Sequence, residues 1–79
     1  MLQLSFMSSK RPEDILLGAE AFFVQQGFKT VEKNDTSIGF QSGQNGVGYV
    51  RVNVTHLGGV TVETVKWEQQ VRQFAELYK

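Results

Sequence analysis

Tyr49-Val50-Arg51-Val52-Asn53-Val54-Thr55, turning through Leu57-Gly58-Gly59 into Val60-Thr61-Val62-Glu63-Thr64, is the stretch from which the fold can be read. Valines alternate with polar residues on both sides of the Gly-Gly turn, the period of strands with one buried and one wet face. A hairpin at 49–64 is therefore predicted, and the remaining segments read as its cover and extension.

Working outward toward the C-terminus, the period changes. Trp67, Val71, Phe74, Ala75 and Tyr78 recur at helical spacing, with Glu68, Gln69, Gln70, Arg72, Gln73 and Glu76 between them. This predicts an amphipathic helix to the end of the chain. Toward the N-terminus, Ser37-Ile38-Gly39-Phe40-Gln41 and Phe28-Lys29-Thr30-Val31-Glu32-Lys33 read as two further strands parted by a turn at Asn34-Asp35. Asn45-Gly46 adds a hairpin signal between the strand at 37–41 and the strand starting at Tyr49.

The segment before these strands is helical. Pro12 is shaped for a first turn, Glu13 and Asp14 complement the positive helix end, and Ser8 or Ser9 offers a capping oxygen. Ile15, Leu16, Ala19, Phe22 and Phe23 make the apolar stripe of a helix from about Pro12 to Gln26, and Gly27 is placed to end it. Leu17, Ala21 and Val24 form a second, weaker stripe, to be buried under the C-terminal helix or presented to a partner. At the N-terminus, Leu2, Leu4 and Phe6 alternate with Gln3, Ser5 and Met7, predicting a strand over 2–8.

The element order is then β-α-β-β-β-β-α, one α+β domain spanning 1–79. If the first helix, roughly 22 Å long, carries the chain across the sheet, the following four strands can meander back and leave the last beside the first. The expected sheet is antiparallel in the order 1-5-4-3-2, with both helices on one face in a two-layer sandwich. The expected core holds Phe22, Phe23, Val52, Val62, Trp67, Val71 and Phe74, with Trp67 meeting Phe22 or Phe23. The open face is expected to carry Thr30, Glu32, Gln41, Arg51, Asn53 and Glu63.

This order resembles one repeat of the TATA-binding-protein fold, which is related to the helix-grip folds. The resemblance covers the whole chain as element order and implies a fold, not a function. The DNA-binding members of that family use a doubled, basic saddle with phenylalanine wedges, whereas this chain is single and neutral. The helix-strand-strand-strand-helix run is also similar in order to double-stranded-RNA-binding domains. That family places a lysine cluster where this chain reads Trp67-Glu68-Gln69-Gln70, and this chain has one strand more.

Composition narrows the function classes. A chain of 79 residues buries only about 60–65% of its unfolded surface, so its core is thin. Eight basic and eight acidic residues, spread without blocks, give no field to gather nucleic acid or anionic lipid. The chain has no cysteine, which excludes disulfides and thiolate metal sites. Residues 1–9 lack the basic start and continuous apolar run of a signal peptide, and no run approaches a membrane span, so a cytoplasmic protein is expected.

No catalytic, cofactor or metal site is predicted. His56 has no second ligand or nucleophile at a useful spacing, and a surface role at a strand end accounts for it. Glu32 and Glu63 share the expected open face, as pairs of carboxylates do by chance in most sheets. The glycines match no phosphate cradle; Gly39 and Gly48, inside strands, are read as sites of curvature rather than of ligand approach. The expectation is a non-catalytic module binding a protein or small molecule, with a nucleic-acid binder as the alternative and a small enzyme as the remote one. The candidate interaction surface comprises Leu4, Phe6, Met7, Leu17, Ala21, Val24, Tyr49 and Arg51. Leu4, Phe6 and Met7 belong to the first strand, an uncharged edge that invites pairing with a second copy.

Overall fold

The alternating valines form the middle of an antiparallel five-stranded sheet. In the computed structural model, which describes residues 1–42 and 48–79, the elements are β1 (Leu2–Met7), α1 (Pro12–Gln25), β2 (Phe28–Lys33), β3 (Ser37–Ser42), β4 (Tyr49–Val54), β5 (Gly59–Val65) and α2 (Glu68–Tyr78). The expected turn at Asn45-Gly46 lies outside the described residues. The sheet order is β1-β5-β4-β3-β2, as the element order predicts.

Register explains the burial. Leu4 pairs with Val62, Val62 with Val52 and Val52 with Ile38, so one row of apolar side chains crosses four strands beneath the helices. Phe23, Ile38, Phe40, Val50, Val52, Val62, Val71 and Phe74 are completely buried. Phe23 is the plug: its ring lies 5.5 Å from Phe28, 5.2 Å from Phe40 and 5.5 Å from Phe74. Of the expected core, Phe22 and Trp67 are only half-buried. Trp67 packs edge-on against Phe28 at 5.0 Å, and it is Phe74 that meets both Phe22 and Phe23. The reason is position: Trp67 is the N-cap of α2, one residue before the helix, at the same end of the sheet as Phe28.

Two further local expectations are corrected. Neither Ser8 nor Ser9 caps α1; the N-cap is Arg11, without a side-chain cap, and its guanidinium instead pairs with Glu13 and Asp14 of the first turn. Ser8 is held elsewhere, its backbone N–H donating to Gly58 O at 2.8 Å and its hydroxyl accepting from Lys10 N at 3.2 Å. Thr30 faces the helices rather than the open face, because the β2–β3 register shifts between Thr30 and Glu32. The extra residue, Val31, restores Glu32 to the open face and leaves Thr30 to donate to Glu20 Oε2 of α1 at 3.3 Å.

Two turns are fixed by side chains. Asn34 Oδ1 accepts from the backbone N–H groups of Thr36 and Ser37, both at 2.9 Å, and so closes the β2–β3 turn. The buried Thr64 hydroxyl donates to Tyr49 O at 2.6 Å and accepts from Trp67 N at 3.3 Å, tying β4 and β5 to the start of α2. Gly48 enters β4 at φ +82°, and a Cβ there would fall 2.4 Å from Val65 O. The glycine permits close backbone approach at this corner, which is a structural demand and needs no ligand.

Candidate functional site

Among the described residues, the candidate site is built on two surfaces, the open face of the sheet and the outer edge of β1. On the open face, pairing places Glu32, Gly39, Arg51, Glu63 and Gln3 in one row across all five strands. Gly39 has no side chain, so the Arg51 guanidinium reaches over β3 to Glu32 and Arg51 Nη2 donates to Glu32 Oε1. This hydrogen bond from Arg51 to the carboxylate, with the charge of Glu32, raises the guanidinium above its ordinary pKa. Val31, Gln41 and Tyr49 flank the pair around a shallow depression of about 300 Å³. A Cβ at Gly39 would make only ordinary contact, 3.5 Å from the Glu32 side chain, so the backbone itself does not demand glycine.

Glu32 and Glu63 thus share the open face, but the partner each is aligned with is Arg51. Their arrangement is that of carboxylates held around a cation, not of two carboxylates poised for proton transfer. Among the described residues, no group of three or more histidine, cysteine, aspartate or glutamate side chains could hold a metal ion. His56 is exposed in the turn between β4 and β5, as is Leu57 beside it. Among the described residues, no helix is long and apolar enough to cross a membrane.

The free edge follows from one hydrogen bond and the register. Ser8 donates to Gly58 O, in register with the β1–β5 ladder that pairs Met7 with Gly59. Backbone groups of an antiparallel strand alternate in direction, so Phe6, Leu4 and Leu2 also bond toward β5. The N–H and C=O groups of Gln3, Ser5 and Met7 therefore point outward. Their side chains are exposed on the open face, while Leu2, Leu4 and Phe6 are half-buried against the core. The opposite edge, β2, is interrupted by its register shift and carries Lys29, Glu32 and Lys33.

The structure brings together some of the expected interaction residues and separates others. Leu4, Phe6 and Met7 share β1, and Tyr49 and Arg51 sit two strands away on the open face. Leu17, Ala21 and Val24 lie on the far side of α1, where Leu17 is 59% and Val24 48% exposed, so α2 does not cover them. The stripe resolves as surface because α2 contacts α1 through Gly18, Phe22 and their partners Tyr78 and Phe74 instead. Gly39 is the residue whose part in the open face the sequence does not show; its place between Glu32 and Arg51 is visible only once strand pairing is known. No protein-family model and no curated protein matches this sequence.

Proposed function

We propose that the chain is a non-catalytic interaction module that works as a homodimer joined through β1. The observation that carries this reading is the outward row of backbone groups on Gln3, Ser5 and Met7, on a strand without charge or proline. Each unpaired group can gain a hydrogen bond from another strand, and the half-exposed sides of Leu2, Leu4 and Phe6 would be covered by the same step. Two copies joined there form one ten-stranded sheet, with the Arg51 depression of each on a common face. That face is the binding surface this reading assigns to a protein or small-molecule partner, in keeping with the likeness of element order to the TATA-binding-protein fold. A cytoplasmic setting belongs to the same proposal.

Sedimentation of the native chain beside Leu4→Lys and Ser5→Pro tests it. Ser5→Pro removes a backbone donor from the free edge, because Ser5 N–H points away from β5, and with it only a long, exposed hydroxyl contact to Thr61 at 3.4 Å, so the fold is expected to survive. A dimer that both substitutions reduce to monomer supports the proposal. A native monomer, or a dimer indifferent to both changes, overturns it. The nucleic-acid alternative has its own measurement: with no net charge and no cluster of lysine or arginine, labelled duplex and single strands are expected to show no binding at physiological salt by fluorescence anisotropy. Micromolar binding that weakens steeply with salt would favour that alternative.

A further inference from the structure

The free edge carries more information than its availability, because only one register uses all of it. We infer that two copies pair β1 to β1 antiparallel about a twofold axis at Ser5, with Gln3 of each copy opposite Met7 of the other; this rests on the edge-pairing reading above.

Hydrogen-bonded pairs across the new seam can form only between residues whose backbone groups point outward, which are Gln3, Ser5 and Met7. Centred on Ser5, all three residues find a partner within the strand itself. Centring on Leu4 opposes Gln3 to Ser5 and sends Met7 to Met1, before the strand begins. Centring on Phe6 opposes Ser5 to Met7 and sends Gln3 to Ser9, beyond its end. Both alternatives leave part of the seam to residues outside β1.

Side chains agree with this choice on each face. Beneath the helices, Leu4 of one copy stands opposite Phe6 of the other, so two half-exposed apolar groups close over one another twice. On the open face, Ser5 meets Ser5, and the exposed Gln3 amide lies beside the Met7 thioether, with no like charges opposed.

The helix layer supports the twofold independently. Helix α2 packs over β5 and β1, and the axis would run the two copies of α2 antiparallel. Gln70 faces the α1 side, lining a depression with Gln26 and Phe28. The other flank carries Glu68, Arg72, Glu76 and Lys79, all exposed, at steps of one helical turn. Reversed against itself, that run sets Glu68 against Lys79 and Arg72 against Glu76, adding an opposite charge to each end of the exposed Glu76–Lys79 ion pair that each chain already makes at 3.0 Å. The flank is self-complementary in charge only when the helices are antiparallel.

The test uses two double variants of the exposed side chains, Gln3→Lys with Met7→Lys and Gln3→Lys with Met7→Glu, measured by sedimentation equilibrium at low salt beside the native protein. Within one chain the two positions lie four residues apart along the strand, too far to interact strongly, whereas the inferred register makes them direct cross-strand neighbours twice per dimer. The Lys/Glu variant is expected to dimerise more tightly than the Lys/Lys variant by on the order of tenfold in Kd, with the gap narrowing as salt is raised. Equal Kd values for the two, with the native protein dimeric, would overturn the register and leave edge pairing standing. A monomeric native protein would overturn both.

Discussion

Gly18 lies where α1 passes α2, and the Tyr78 ring occupies the space its absent side chain leaves. A Cβ there would sit 1.7 Å from Tyr78 Oη and 2.5 Å from Cζ. The ring in turn packs 4.9 Å from Phe74, so the glycine serves the core through its neighbour. Gly18→Ala is therefore expected to destabilise the native chain by displacing Tyr78, although alanine is the better helix former. In a Tyr78→Ala background the same change should stabilise by about 1 kcal/mol, the helix propensity alone. Urea denaturation of the four proteins of this cycle checks the reversal of sign. No spacing in the sequence singles out Gly18, because the ring that fills the space beside it comes from the other end of the sequence, beyond the reach of any local pattern.

Among elements, α2 shows where periodicity is a sufficient guide and where it stops. Val71, Phe74 and Ala75 are buried as their spacing predicts, and Phe74 has no exposure at all. Phe74→Ala should cost about 3–5 kcal/mol in chemical denaturation, because the cavity opens among Phe22, Phe23 and Tyr78. A loss below about 1 kcal/mol would show that the stripe does not face the core. The alternating valines likewise placed every side chain of β4 and β5 on its observed face, and alternation alone was enough because neither strand is interrupted. β2 is the exception. Its polar and apolar residues do not alternate cleanly, and the register shift at Val31 reverses the face of Thr30, so Glu32 was legible on the open face while Thr30 was not. The cap of α1 failed for a related reason: Ser8 is the right residue type, but the strand ladder claims its backbone before the helix begins.

For the molecule as a whole, Glu20 links α1 to the β2 edge and gives the fold a pH dependence. Lys33 Nζ donates to Glu20 Oε1 at 3.0 Å, and this hydrogen bond, with the lysine charge and the Thr30 hydroxyl, holds the carboxyl below its ordinary value of 4.5 against the opposing effect of burial. An acid whose folded pKa is lowered contributes stability above its unfolded pKa and loses it as pH falls through the folded one. Native and Glu20→Gln proteins, compared by thermal denaturation, should therefore differ most above about pH 5 and converge as the pH falls below the ordinary carboxylate range. Both side chains are partly exposed, so added salt should also narrow the difference.

The sheet order has a consequence for the order of events in folding. β1 leaves the ribosome before the other four strands of the sheet, yet its ladder partner β5 is the last of the five to be made, and Leu2 must wait for Thr64. Strands β2 to β5 can meet meanwhile through short connections, whereas closing the chain between β1 and β5 costs the most entropy of any pairing in the sheet. The expected nucleus is the meander with α1, and β1 docks after the barrier is crossed. Leu4→Ala should then accelerate unfolding and leave the folding rate nearly unchanged, whereas Val52→Ala should slow folding. Stopped-flow kinetics at concentrations where the chain is monomeric would show this as a shift in one arm of the chevron. During synthesis β1 is thus an unpaired strand on both sides: the edge of Leu2, Leu4 and Phe6 waits for β5, while that of Gln3, Ser5 and Met7 stays open to a second copy.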